Sequence, residues 1–498
     1  MSERDPVIAW RGAATYAKAP PFHPATTLPE FPDVPAGQGP NPAFDAVRSC
    51  LELAGRDAAC FGTPDWNPLA DVIRPGQTVL LKPNFVKDSH PRDPEGWAYT
   101  VTHGSLIRAV AEYVAKALGG KGTILIGDAP QTEAPFDRIC ALTGTTDVVA
   151  YLRGRGLDVR LVDFRREQWT EQGGVITGRK PLPGDPAGSV RLDLGSDSRF
   201  FRHRGEGRYY GAYYDSEELN AHHRGAVHEY LLTGSAIACD VFVNLPKLKT
   251  HKKTGVTLNL KNLVGINGDK NWLPHHTEGT PEQGGDQFPS ESWRRLVERN
   301  AGRALRKLAV KVPYVGPRLL RFARNAGASV MGDTETVVRS GNWHGNDTTW
   351  RMSLDLNAAL LFGNPDSTWR RGGPRKPHLS FVDGLIAGEG SGPLNPDPVH
   401  AGLVVFGTNP ADVDTACAWL MGFDPEKLPV IREAYAPNAF RIADGSWREV
   451  VVKSQFAAWN GPVSTLADTF RFRPHFGWTT AIERIPAHPV ATDRGETR

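Results

Sequence analysis

The sequence predicts an α/β fold: a mostly parallel sheet with helices on both faces, several long loop insertions and a basic helical hairpin insertion. Three observations carry this expectation. Short apolar runs recur along the chain, helical periodicity fills the interval between several of them, and each run stops abruptly at polar or charged residues. Strands buried on both faces read as unbroken apolar runs, and parallel neighbours need a helix-length connection.

In chain order, residues 1–45 read as an extended arm, because prolines at 20, 21, 24, 29, 32 and 35 forbid helix. Residues 78–82 (Thr-Val-Leu-Leu-Lys) form a buried strand stopped at Pro83. Beyond a polar loop, Leu106, Ile107, Val110, Tyr113, Val114, Ala117 and Leu118 recur at helical spacing, with Thr102 as N-cap and Gly119-Gly120 as the stop. Residues 123–128 are the next strand, which completes a right-handed βαβ unit. Residues 157–164 alternate as a further strand, and the Gly- and Arg-rich sequence to about 208 gives loops or a small β excursion. Residues 239–246 are a strand closed by proline, and 379–383 and 403–407 are two more, the second leading into a helix over 411–421 ended by Gly422. The chain then divides into the arm (1–45), a first part of the core (46–290), a basic helical insertion (291–350), a second part of the core (351–460) and a C-terminal tail (461–498).

Composition narrows the function classes. The 498 residues carry 58 Lys+Arg against 55 Asp+Glu, a net charge of +3, so no overall field recruits nucleic acid. With 40% hydrophobic and 23% charged residues the chain is globular rather than disordered. The five cysteines are far apart and never in a C-x-x-C pair, which argues against a disulfide framework, a structural zinc or an iron–sulfur cluster. No run approaches the ~18 apolar residues of a membrane span, and the polar, Pro-rich N-terminus lacks the apolar region of a signal peptide. A cytoplasmic location is expected. One stretch departs from the mean: between 294 and 324 ten Lys/Arg face a single acid, Glu298, with apolar stripes broken by Pro313 and Pro317. Two readings of this hairpin stay open, a solvated charged face or a surface that docks on the anionic inner face of a membrane.

Ligands of open parallel sheets bind beyond the carboxyl ends of the strands. The residues placed there are Lys82 and Asn84, Asp128, then Lys247, Lys249, Thr250 and His251 on a loop after the 239–246 strand, and Asp383. Lys261 and Asn262 follow closely. The lysines, Asn84, Thr250 and Asn262 suit phosphate or carboxylate oxygens, since ammonium, hydroxyl and amide donors satisfy such anions. There is no P-loop, no G-x-S-x-G elbow and no G-x-G-x-x-G fingerprint. His251, Asp383 and Glu389 are the candidates for proton transfer, and Asp128, His251 and Asp383 would be the ligands of a divalent ion. A purely structural salt-bridge network is the competing reading. Asp412 and Asp414 open a helix and fit its N-terminal dipole. His222, His223, His228, His251, His275 and His276 match no zinc motif, and the polar, Gly-rich stretch 274–289 reads as a site loop or lid.

Taken together, Lys82-Pro-Asn84, Gly127-Asp128, Asp240-Val-Phe-Val-Asn-Leu-Pro-Lys-Leu-Lys-Thr-His251, the 254–265 segment with its Leu-Lys-Asn, Val382-Asp-Gly384, Glu389-Gly-Ser-Gly-Pro393 and Asp412-Val-Asp414 resemble the domain-of-unknown-function 362 family over roughly residues 75–425. The Pro-Lys-x-Lys-Thr-His segment is the most specific part. The resemblance implies an α/β domain of unsettled biochemistry. Some relatives carry ferredoxin-type cluster domains or a twin-Arg leader; neither signature occurs here, and no iron–sulfur cluster is expected. The loop around Asn271 to His276 resembles that of longer relatives associated with surface-polysaccharide genes. The expectation is therefore an enzyme acting on an anionic small molecule, phosphorylated, carboxylated or sugar-linked. The alternative is a noncatalytic accessory of polysaccharide assembly that docks at the membrane through 294–324.

Overall fold

The structure is a computed structural model that describes residues 4–172, 175–211, 216–292 and 337–484. Twelve strands form its central sheet: β1 (Val7–Arg11), β2 (Thr78–Pro83), β3 (Thr123–Asp128), β4 (Asp158–Asp163), β5 (Val241–Leu245), β6 (Lys247–His251), β7 (Gly255–Thr257), β8 (His378–Ser391), β9 (Asn395–Val399), β10 (Leu403–Gly407), β11 (Val451–Lys453) and β12 (Gly461–Pro462). The spatial order is β12-β11-β1-β10-β8-β5-β2-β3-β4, with β6 and β9 on the far half of β8 and β7 beside β6. Strands β8, β5, β2, β3 and β4 are mutually parallel. β10 closes against β8 antiparallel, and β1 against β10.

Alternate residues of these strands feed two cores, one on each face. Val79, Leu81, Ile124, Ile126, Val241 and Val243 join the core that holds helices Pro42–Leu53 and Gly104–Leu118. Leu80, Leu125 and Phe242 join the opposite core with helices Thr349–Phe362 and Pro410–Met421. Each fully buried aliphatic contributes about 1.5–3 kcal/mol, which is why the strand sequences are apolar on both faces.

Three local expectations change. The first strand of the sheet, β1, comes from within the Pro-rich arm. Helix Gly104–Leu118 is capped by His103, whose Nδ1 accepts from Ser105 N–H at 3.1 Å, while Thr102 Oγ1 donates to Leu245 O at 2.6 Å and accepts from Asn84 N–H at 2.9 Å. Thr102 thus ties the end of β2 to the end of β5 instead of capping. The helix does stop at Gly119, in the left-handed region with φ 57°. The cationic segment after Pro246 is not a loop: it is strand β6, because β8 is long enough to run past β5 and pair with it, across a register shift between Lys247 and Lys249. The β excursion is present as the antiparallel hairpin Glu167–Gln172 with Val175–Pro181. The basic stretch 294–324 lies outside the described residues. Among the described residues no helix is long and apolar enough to cross a membrane.

Candidate functional site

The chain runs from β2 to β3 and β4 on one side, then returns to place β5 on the other side of β2. This is the switch in strand order beyond which parallel sheets open a crevice. A cavity of about 480 Å³ lies there.

Lys82 near the end of β2 and Asp128 at the end of β3 pair at 2.8 Å. Lys82 Nζ also donates to Pro83 O at 2.8 Å and Asn262 Oδ1 at 2.9 Å, and Asp128 Oδ2 accepts from Phe85 N–H at 2.7 Å. Asn262 stands at the end of the short helix Asn259–Asn262 and knits three elements, accepting from Asn84 Nδ2 at 3.0 Å and donating to Asn244 Oδ1 at 2.7 Å. The helix is anchored by Asp414, which accepts from Asn259 N–H, Asn259 Nδ2 and Leu260 N–H at 2.8–2.9 Å. Asp414 therefore serves a different helix from the one it sits on, while Asp412 lies in the first turn of its own, as expected.

Strand alternation turns Lys247, Lys249 and His251 to one side and Leu248 into the core. Lys249 and His251 line the cavity together with Lys82, Asn84, Asp128, Lys261 and Asn262. Lys252, Lys253, Lys270 and His275 also line it, and sequence reasoning did not single them out as site residues. The cue for Lys252 and Lys253 was their place beside His251; Lys270 and His275 come from a loop whose fold no local pattern discloses.

Burial and crowding hold Lys249, Lys253, Lys261 and Lys270 below the ordinary ammonium range. Lys261 is lowered to about 8 by burial and then by the charge of Lys82. Lys270 is lowered to about 7 by burial, with Asp128 opposing and Lys82, Lys261 and Arg165 adding to the fall. Lys253 also falls to about 7, and Lys249 well below its usual value, again mainly through burial. Lys249 Nζ is held by Thr100 O (2.5 Å) and Pro393 O (3.1 Å), Lys253 Nζ by Ser340 O (2.7 Å) and His275 O (3.2 Å), and Lys270 Nζ by Val264 O (2.6 Å). Lys261 Nζ has no hydrogen-bond acceptor among the described residues.

The two imidazoles differ in kind. His251 Nδ1 accepts from Lys253 N–H at 3.0 Å, so its neutral ring carries the proton on Nε2. His275 Nδ1 faces Leu273 O at 2.8 Å and must donate, which leaves Nε2 as a lone-pair acceptor. Burial and the surrounding lysines push both well below the usual imidazole range, so both are neutral near pH 7.

The other expected site residues lie elsewhere. Lys247 and Asp383, both 0% exposed, pair at 3.1 Å in a sealed network. Tyr16 O–H donates to Asp383 Oδ1 (2.6 Å), His103 N–H to Asp383 Oδ2 (2.9 Å), and Lys247 Nζ to Tyr16 Oη (2.6 Å) and Ala98 O (2.7 Å). Tyr16 also stacks on His103 at 4.0 Å. With both oxygens of Asp383 engaged, this group is a strut between arm, sheet and helix. Thr250 is turned to Gly390 O at 2.9 Å, and Glu389 accepts from Arg473 N–H at 2.8 Å; neither lines the cavity. Asp128, His251 and Asp383 do not converge, and among the described residues no group of three or more His, Cys, Asp or Glu side chains forms a metal cluster. The 274–289 stretch supplies a wall: His275 lines the cavity, and Asp286 behind it accepts from Thr277 N–H, Asp347 N–H and Thr348 Oγ1 at 2.6–2.9 Å.

The chain is 22% identical over 363 residues to a thylakoid-associated protein of Synechocystis sp., covering 73% of this chain and 68% of that protein. The model of the family described as domain of unknown function (DUF362) matches residues 79–180 and 210–419, more than half of the chain and every lysine and histidine named above as lining the cavity. The protein therefore belongs to the DUF362 family.

Proposed function

We propose that the protein binds a small anionic molecule in the lysine-lined cavity and moves a proton on it. The observation that carries this reading is Lys261: a largely buried side chain whose ammonium group opens on the cavity and has no internal acceptor among the described residues. Burial and the charge of Lys82 disfavour its charged form, and an anion from solution supplies the missing counter-charge. Phosphate and carboxylate oxygens both suit the lysine donors. His251 offers an N–H and His275 a lone pair to the same space, the complement that general acid–base chemistry requires. No step through a metal is part of this reading. The test is thermal melting with inorganic phosphate or sulfate in low-salt buffer. Both anions raise the melting temperature of the native protein, and Lys261→Met removes most of the shift; equal shifts in both proteins contradict the reading.

A second reading concerns location. The similar protein of Synechocystis sp. is named for its thylakoid association, and the 294–324 stretch holds ten basic residues. Basic segments of this density bind anionic lipid surfaces. Peripheral docking through this stretch is compatible with a noncatalytic accessory role and equally with catalysis in the cavity.

A further inference from the structure

Taking the cavity as an anion site, its charge balance says what kind of anion. Of Lys82, Lys249, Lys253, Lys261 and Lys270, Lys82 alone has a carboxylate partner within ion-pair distance among the described residues. Lys249, Lys253 and Lys270 are held by backbone carbonyl oxygens, and Lys261 by nothing. Carbonyl oxygens favour the ammonium form but carry no net charge, so they fix the positions of these groups without supplying a counter-charge. The lining carboxylates among the described residues are Asp128, Glu133 and Glu171, and Glu133 is itself paired with Lys87 at 3.4 Å, so the lining lysines, once all protonated, outnumber the carboxylates left to answer them.

We infer that the ligand presents a dianionic oxygen group, as in a phosphate monoester or diphosphate, and that Lys261 and Lys270 take up protons from solution as it binds. A monoanion would leave buried positive charge unanswered, whereas a dianion lets neighbouring lysines be charged together. Without an anion that joint charging is disfavoured. Lys270 faces Lys82, Lys261 and Arg165 against the single carboxylate of Asp128, and Lys261 faces Lys82. The neighbouring Lys249 and Lys253 add Lys247 and Lys252 to the repulsion and Asp286 to the attraction. With values near 7 for Lys270 and 8 for Lys261, the empty site is short of protons around pH 8 and nearly full around pH 6. Binding converts R–NH2 to R–NH3⁺, and the proton comes from the buffer.

Sulfate and methanesulfonate separate the possibilities, because they are close in size, differ by one charge and do not titrate between pH 6 and 9. Calorimetry of the full chain in two buffers of different ionisation enthalpy counts the protons. The expected result is sulfate bound at least tenfold more tightly than methanesulfonate, with about one to two protons taken up near pH 8 and almost none near pH 6, and a dissociation constant that weakens by more than about tenfold per pH unit above 8. Lys270→Met, checked for folding by circular dichroism, still binds sulfate but takes up fewer protons. Equal affinity for the two anions overturns the dianion assignment, and sulfate binding without proton uptake overturns the coupling, while both leave the anion site standing. Binding of neither anion removes the anion site itself.

Discussion

Lys82 and Asp128 stand near the ends of neighbouring parallel strands and pair at 2.8 Å against the backbone of Gly265. A methyl group on Gly265 would overlap Asp128 Oδ1 and Lys82 Nζ, so the absence of a side chain there lets the 263–266 turn lie over the pair. Gly265 O in turn accepts from Ala129 N–H at 2.8 Å, which fastens the turn to the residue after Asp128. One ion pair and one glycine thus set the floor of the cavity.

Gly265→Ala is expected to destabilise the fold by about 1–3 kcal/mol, the usual range for overpacking, and to weaken the sulfate response with it. Denaturant unfolding and sulfate-dependent melting measure the two effects. An unchanged midpoint would show that the pair moves aside freely.

Lys261→Met should stabilise the empty protein even as it removes anion binding. Removing a charge that burial disfavours is worth about 3 kcal/mol at most, the size of its shift to about 8 at about 1.4 kcal/mol per unit. The sign with pH follows from a folded value near 8, below the unfolded value of about 10.4. The penalty is complete below pH 8 and fades as pH rises toward the unfolded value. The gain in melting temperature over wild type is therefore largest at pH 6–7 and shrinks toward pH 10. A gain that grows with pH contradicts this account of Lys261.

Tyr16→Phe removes the donor to Asp383 and the acceptor of Lys247. Leaving buried charged groups short of a partner costs about 1–3 kcal/mol. Because Tyr16, Lys247 and Asp383 do not line the cavity, the sulfate affinity of the folded variant is expected to stay within twofold of wild type. Loss of binding at full stability would bring the strut into the site.

For the basic stretch, sedimentation with vesicles rich in phosphatidylserine at low ionic strength is the direct measurement. Arg318→Ala, Arg321→Ala and Arg324→Ala combined should reduce binding severalfold, and raising salt should do the same, since exposed charges are screened beyond about 10 Å at 0.1 M. No binding by the native protein removes the docking reading.

The sheet was legible because β2, β3, β5 and β10 are buried on both faces and so carry unbroken apolar runs. The contribution of the arm was hidden, because β1 has the apolar residues of a strand but sits among prolines that argue only for extension. The site was half legible. Proximity to strand ends located Lys82, Asn84, Asp128, Lys249, His251, Lys261 and Asn262, all of which line the cavity. The same reasoning misplaced Thr250, because it treated β6 as a loop and the strand's period of two turns Thr250 away from Lys249 and His251, and it misplaced Lys247 and Asp383, because Tyr16 of the arm closes over their pair. Lys270 and His275 enter from tertiary structure alone.

The central claim is that an anion sits on Lys261, and a crystal of the protein soaked in selenate tests it most directly. An anion on Lys261 gives an anomalous selenium peak inside the cavity, within about 3.5 Å of Lys261 Nζ as a charge-assisted hydrogen bond requires. Selenate bound elsewhere on the protein, with water alone beside Lys261, would contradict it.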